Sequence, residues 1–390
     1  MKAEPRLGLD LSWSRITSTL IFDVAVLVLA RHVPGVSPTI AWWVGVGIAA
    51  TVTIALLLAY RRITLASALA KWVWEWSGDS AAALRAGCTP AIDHRRRFGR
   101  DVVGVREYQG QLVAVIALTE AEPPPAGPQR QKVPPATLSV AVVAEALRQF
   151  DVHLDAIDIV SVQKRRAGEV AEASGPRTHA DHAADIEGGT WLVLRMDPQH
   201  NVAGVAARDS VASTLAAAVE RLAGDLDGRR CVARPLTAEE FGEVDAAVIA
   251  GLETASIRPG WRHLKHFDGY ATSFWVSPHD ITSEALDRLW LHETDATVLT
   301  MRLTAAGNWA AASVWVRFHS RERLGKEVWA GLNRLTGRQL AALRASLPAP
   351  STRPPLAVPA RWLDERELLA VRVDPAHVGA GGTAKVDAPS

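Results

Sequence analysis

The chain has 390 residues, 48% apolar and 22% charged, with a net charge of +1. That length suits one large domain or two ordinary ones with appendages. The near-neutral balance favours neither a nucleic-acid binder nor an enzyme of acidic substrates. Its two cysteines, Cys88 and Cys231, read as free thiols in a reducing compartment and not as a disulfide framework or zinc site. Sequence alone leaves a contact between the two open.

The apolar residues concentrate near the N-terminus. Ile40 to Tyr60, "IAWWVGVGIAATVTIALLLAY", runs for 21 residues without a charge. As a helix it would be about 31 Å long, enough for a hydrocarbon core of about 30 Å. Trp42 and Trp43 stand at one end and Tyr60 at the other, where interfacial aromatic residues belong. Upstream, Ile16 to Val33 is a weaker apolar run containing Asp23. A cleaved signal peptide is its rival reading, but no small-residue cleavage site follows and a second span comes at once. The expectation is an uncleaved transmembrane hairpin over residues 16–62, with spans about 16–33 and 40–60. Lys2, Arg6 and Arg15 precede the first span and Arg61, Arg62 and Lys71 follow the second, which puts both termini in the cytoplasm. Asp23 either pairs with another subunit in the membrane or stays protonated or near a water defect.

Next comes "AKWVWEWSGD". Leu65, Leu69, Trp72 and Trp76 recur at helical spacing, so residues 63–78 read as an amphipathic interfacial helix. Trp74 lies off that stripe and is free for a second contact. A short strand with all three tryptophans on one face is the alternative.

Residues 79–346 read as a cytoplasmic mixed α/β domain, with a Pro/Gly-rich tail over 347–390. A hairpin is expected around Tyr108-Gln109-Gly110, then a helix near Leu138 to Phe150 and the strand "DAIDIVSVQKR". The polar stretch 167–189 reads as a loop. "TWLVLRMD" is a strand, and Asp209 is placed to cap an Ala-rich helix ending near Leu226. Thr237 and Glu240 make a capping box. A second hairpin turns at Asp268-Gly269. A helix near Ser283 to His292, strands on either side of Gly307-Asn308, and a helix near Arg338 to Ser346 complete the pattern. Hairpin, helix, strand, strand thus occurs on each side of residue 235, which hints at two lobes or a repeat.

Chemistry is hard to find. The chain has no Walker A string, GxSxG elbow, HExxH, CxxC or GxGxxG. His179, Asp181, His182 and Asp185 have metal-ligand spacing but lie in the polar stretch, without a supporting shell. Asp225 and Asp227 form a DxD pair of the kind that holds a divalent ion against a diphosphate. They end a predicted helix, where Asp and Gly make an ordinary exit turn. A membrane-bound glycosyltransferase acting on a lipid-linked sugar is therefore the alternative function. The basic run with Arg95, Arg96 and Arg97 reads as a lipid-headgroup contact, a solvated turn or a set of salt bridges. Of Trp191, Trp261, Trp275, Trp290, Trp309, Trp315 and Trp329, most should be core and one or two exposed contact residues.

The strings "VVGVREYQGQLVAVIAL", "WLVLRMDPQHNVAGVAARDSVASTLAAAVERLA", "CVARPLTAEEFGEVDAAVIAGLE" and "FDGYATSFWVSPHDITSEALDRLW", after two N-terminal spans, carry a resemblance. From the first span to about Ser346 the chain resembles the EccE family, the peripheral subunit of the ESX (type VII) secretion membrane complex of mycobacteria. The resemblance implies a non-catalytic structural subunit of an inner-membrane machine, beside EccB, EccC and EccD in a sixfold assembly. EccC is the ATPase there, in keeping with the missing Walker string. It implies no catalytic, cofactor or metal residue, no nucleic acid and no small-molecule substrate.

Overall fold

The computed structural model describes residues 7–9, 13–32, 37–60, 63–64, 78–97, 99–120, 136–165, 186–228, 231–307, 309–350, 355–364 and 367–373. Two helices come first, α1 (Trp13–Ala30) and α2 (Pro38–Leu57). They pack together closely enough that a methyl on Gly45 would lie 2.7 Å from the Ala30 Cβ. The helix α2 stops before the end of the apolar run. Leu58–Tyr60 instead forms a strand, β2, between β1 (Leu7–Leu9) and β3 (Ile63–Thr64). Among the described residues no single helix is both long and apolar enough to cross a membrane, the apolar parts being Thr19–Ala30 and Thr39–Ile54.

The rest is a mixed α/β fold on one large antiparallel sheet. Alternating or continuous apolar runs bounded by tight turns supply its main strands: β5 (Val102–Tyr108), β6 (Gln111–Glu120), β10 (Ala156–Arg165) and β11 (Ile186–Met196) in the first half. The second half has β14 (Leu264–His266), β15 (Gly269–Trp275), β16 (Ala296–Ala306) and β17 (Trp309–Ser320). Their spatial order is β14-β15-β17-β16-β10-β11-β6-β5, with β4 (Ile92–Arg95) beyond β5 and β13 (Arg258–Pro259) beyond β14. The order reads alike from either end. It places a pseudo-twofold axis between β10 and β16, whose register pairs Val160 with Thr300. Short elements fill the connections: β8 (Arg148–Gln149) paired with β9 (Val152–His153), the helix α5 (Val202–Ala206), and β18 (Asn333–Arg334) against β15.

Sequence supports the repeat. Glu145-Ala146-Leu147 and Asp155-Ala156 precede and open β10, as Glu284-Ala285-Leu286 and Asp295-Ala296 precede and open β16. In each half a tryptophan, Trp191 or Trp315, lies four residues before a carbonyl that accepts the corresponding aspartate N–H. The bonds are Asp155 N to Arg195 O and Asp295 N to His319 O, both 2.9 Å. The two halves are thus one unit used twice, sharing a continuous sheet rather than forming separate lobes.

One sheet face packs the helices α4 (Val140–Glu145), α6 (Val211–Leu226) and α8 (Ser283–Arg288). In α6, Leu215, Val219, Leu222 and Leu226 recur on one stripe and are buried, each contributing roughly 1.5–3 kcal/mol. The cap of α6 is Ser210, not Asp209: its extended backbone lets Oγ accept from the Ser213 N–H at 3.0 Å. The other face packs α3 (Ser80–Arg85), α7 (Phe241–Ile249) and α9 (Gln339–Ser346). Half of the expected capping box forms ahead of α7: Glu240 accepts from the Thr237 N–H at 2.8 Å, but the Thr237 hydroxyl donates to the same carboxylate, and the N-cap is Glu240.

Three local expectations shift. Leu138 lies in a strand, β7 (Thr137–Ser139), paired with β20 (Ala370–Arg372), so α4 is shorter than the periodicity suggests. It cannot continue to Phe150, which has a left-handed φ of 55°. The second hairpin turns at Phe267-Asp268, because His266 already pairs with Gly269. Gly269 has φ 151°, and a Cβ there would run into the Ser320 carbonyl. Finally, chain beyond 347 belongs to the core: Leu363, Leu369, Val371 and Val373 are buried.

Candidate interaction surfaces

The N-terminal helices expose a run of large apolar side chains, among them Leu29 (73%), Trp43 (68%) and Ile40 (60%). Trp42 is half-buried, with the Arg31 guanidinium 5.1 Å over its ring. Asp23 has a partner within the chain: Thr53 Oγ1 of α2 donates to its Oδ2 at 2.6 Å. Tyr60 falls in β2. Leu65, Leu69, Trp72, Trp74 and Trp76 lie outside the described residues, as do His179, Asp181, His182 and Asp185.

The basic run divides by position. Arg95 ends β4 and is exposed, Arg97 is exposed, and Arg96 bridges Glu220 of α6 at 2.7 Å. Beside them His94 and Ser213 share a 2.8 Å hydrogen bond. Much of this run therefore ties β4 to α6. Asp225 is exposed in the last turn of α6 and Asp227 is its C-cap, the exit turn that their residue types suit. Among the described residues no cluster of three or more His, Cys, Asp or Glu has metal-binding geometry.

The polar chemistry that sequence reasoning missed is buried. Asp158 of β10 is fully buried and takes Arg195 Nε at 2.8 Å and Arg302 Nε at 2.7 Å from the strands on either side. Burial alone would raise its pKa, but the two guanidiniums reverse the sign and hold the carboxyl below its ordinary value. Both arginines then reach the end of α9. Arg195 donates to the carbonyls of Leu347 (2.9 Å) and Ala349, and Arg302 to that of Ala345 (3.2 Å). Arg106 of β5, paired with Asp245 at 2.7 Å, donates to the Pro348 carbonyl at 2.6 Å. Three strands thus anchor the segment 345–349 through guanidiniums, which suit the negative end of a helix. Further along this face buried Arg317 donates to His319 Nε2 at 2.9 Å and to the Val248 carbonyl at the end of α7. Burial holds its pKa down to about 9.

The Cys88 thiol is pushed up to about 11 by burial, so it stays protonated. Cys231 packs in the core on the opposite side of the sheet from Cys88, which settles that the two do not meet.

The structure also sorts the tryptophans. Trp191, Trp275 and Trp315 are buried, and Trp261, Trp290 and Trp329 half-buried, whereas Trp309 is 56% exposed. Near it stands Trp362, 62% exposed, on the short strand β19 (Arg361–Trp362), which pairs with Ala311 and Ala312 of β17. Trp362 was hidden in sequence by its place in a Pro-rich tail. Beside Trp309 a cleft of about 130 Å³ is lined by Ala141, Ala144 and Glu145 of α4 and by Leu363. Exposed indoles beside a shallow cleft are the composition of a contact centre. Replacing both with alanine is expected to leave stability within about 1 kcal/mol, since exposed positions carry little folding energy. Recovery with partner proteins in mild detergent should fall at least fivefold. Thermal melting and co-purification together check this.

The family model described as "type VII ESX secretion system translocon, EccE" matches residues 187–276. The chain is 55% identical to the ESX-5 secretion system protein EccE5 of Mycobacterium tuberculosis H37Rv, over 96% of this chain and 97% of that protein. It is 54% identical to EccE5 of Mycobacterium marinum, covering 94% and 96%. The ESX-2 secretion system protein EccE2 of Mycobacterium tuberculosis is more distant, 25% identical over 55% of this chain and 39% of its own length. None of these is named as a transferase. The chain belongs to the EccE family of type VII (ESX) secretion systems.

Proposed function

We infer that the chain is a non-catalytic structural subunit of an ESX-5-type secretion complex, anchored in the inner membrane by α1 and α2, with its α/β domain and both termini in the cytoplasm. The observation that carries the anchoring is the set of large apolar side chains facing outward on both helices. Left in water, a patch of that extent is an association hazard. Within a bilayer it is ordinary, and the Thr53 hydroxyl gives the Asp23 carboxyl a hydrogen bond of the kind an intramembrane acid requires. Trp42, Trp43 and Tyr60 would sit at the headgroup level, and Trp72, Trp74 and Trp76 beside it or against a neighbouring subunit. Arg95 and Arg97, both exposed, would face anionic lipid headgroups.

The partners implied by family membership are EccB, EccC and EccD, around which the α/β domain would stand at the periphery of a sixfold assembly. The buried arginines tie the sheet to the end of α9, as suits a subunit whose role is structural.

Deleting residues 13–57 tests the anchor. The shortened protein is expected in the soluble fraction and absent from the high-mass detergent complex. Undiminished co-purification with EccD would overturn the anchoring role.

A further inference from the structure

One end of the sheet concentrates positive charge. Residues 258–270, which form β13, β14 and the start of β15, and residues 321–327, which follow β17, together hold six exposed basic residues against three acidic ones, Asp268, Glu322 and Glu327. The chain as a whole is almost balanced. Register puts part of this charge in one row. Arg258 of β13 lies opposite Lys265 of β14, and Lys265 opposite Tyr270 of β15. Like charges directly opposite one another weaken a sheet. Neither cation has a carboxylate partner among the described residues, so the fold itself gives no reason for the pair.

The charge continues around His263. Its ring meets Tyr270 edge-on at 4.8 Å, and the Arg323 guanidinium lies 5.8 Å over Tyr270. Burial first, then Arg323, Arg334, Arg262 and Lys265, hold the His263 pKa below 6.5, so four cations converge here. The carboxylates Asp268 and Asp295 act instead on His266, whose ring neighbours that of His319. At the tip of the same hairpin, Phe267 is 86% exposed. An apolar tip flanked by basic residues is the composition of a surface that enters an anionic lipid interface. The path of the chain favours lipid over an acidic protein. Ser80, at the start of α3, donates to the Ile257 carbonyl at 3.0 Å, one residue before Arg258. The chain that leaves α1 and α2 thus joins the domain at this edge.

We propose that the β13–β14 edge rests on the anionic headgroups of the membrane that holds α1 and α2. Phe267 enters the interface, and Arg258, Arg262, Lys265 and Arg323 lie against lipid phosphates. This rests on α1 and α2 anchoring the chain. It is a second headgroup contact: Arg95 and Arg97 belong to the other end of the strand order, with β4, β5 and β12 (Cys231–Pro235). Contacts at both ends would fix the tilt of the domain over the bilayer.

The test places the photoreactive residue benzoylphenylalanine at position 267 of the full chain, reconstituted in vesicles of phosphatidylcholine with or without phosphatidylglycerol. Irradiation with phosphatidylglycerol present is expected to give a lipid adduct. Its yield should fall at least fivefold in phosphatidylcholine alone, and as far in the double variant Arg262→Glu, Lys265→Glu. Lys265→Glu alone should leave the melting temperature unchanged or raised, since it sets opposite charges across the ladder. A melting temperature that drops along with the yield would assign these residues to the fold and overturn the proposal. So would no adduct, or a yield indifferent to lipid charge and to the double reversal. In native membranes, an adduct to an acidic protein segment in place of lipid would overturn it in favour of a protein partner. An alkaline carbonate wash of unirradiated vesicles separates the two readings. A chain that stays with the vesicles but is unlabelled at 267 retains its anchor and loses only the headgroup contact. A chain that washes out, yet forms the charge-dependent lipid adduct beforehand, loses the anchor and keeps the contact.

Discussion

Asp158→Asn is expected to destabilise the domain by about 3–5 kcal/mol, since it leaves two buried guanidiniums facing a neutral amide. Neither arginine can escape to water: Arg195 and Arg302 are themselves buried, and each also holds carbonyls near the end of α9. Replacing the whole triad by apolar residues (Asp158→Leu with Arg195→Met and Arg302→Met) would remove the charge problem. It would not restore full stability, because the carbonyls of Ala345 and Ala349 would lose their arginine donors. Each buried orphan costs about 1–3 kcal/mol. Both variants are therefore expected to fall below wild type in stability. Denaturant titration of the detergent-solubilised full chain, followed by tryptophan fluorescence, measures all three. A loss below about 1 kcal/mol in Asp158→Asn, or a triple variant at wild-type stability, would show that these contacts do not anchor α9.

The triad also marks where sequence reading stops. The strands were legible because apolar runs such as "ATVLTMRL" end at turn residues such as Gly307, whose φ is 62°. Helix α6 was legible through its periodicity, and its true cap lay one residue from the expected one. Asp158 and Arg302, by contrast, are 144 positions apart, and their meeting depends on β10 lying beside β16. Nothing local specifies that pairing. The hint of a repeat came close, because hairpin, helix, strand, strand recurs on each side of residue 235, but two lobes and one shared sheet have the same local pattern. Trp362 was illegible for the opposite reason. Its Pro-rich surroundings announce an irregular segment correctly, while its pairing with β17 supplies the order. That one or two of the domain's tryptophans would be exposed was legible in the sequence, and which ones was not. Exposure is a property of packing, and Trp309 and Trp315 sit on the same strand with opposite fates.

Acid should loosen this domain before its carboxylates titrate. Burial, reinforced by the neighbouring Arg317 and further by His266 and Lys164, holds His319 well below 6.5. Its neutral Nε2 accepts from Arg317 Nε, a role that protonation would abolish. In the unfolded chain the same imidazole takes up a proton near its ordinary value. Below pH 6.5 the unfolded state therefore binds more protons than the folded one, and stability is lost as pH falls. At full slope this is about 1.4 kcal/mol per pH unit for one histidine, or about 1.2 kcal/mol between pH 7 and 5.5. His263, His266 and His292 are also lowered by burial, so they act in the same direction, with smaller effect at their partial exposure. Asp245 acts in the opposite direction, since burial raises its carboxyl from 3.8. Comparison with His319→Gln isolates the one residue, because a glutamine oxygen can still accept from Arg317 without titrating. The variant is expected to lose about 1 kcal/mol less than wild type over that interval. Melting of the full chain in detergent at pH 7, 6.5, 6 and 5.5 reads the difference. Parallel curves for the two proteins would mean that His319 takes up its proton in the folded state, and that the bond from Arg317 does not require a neutral ring.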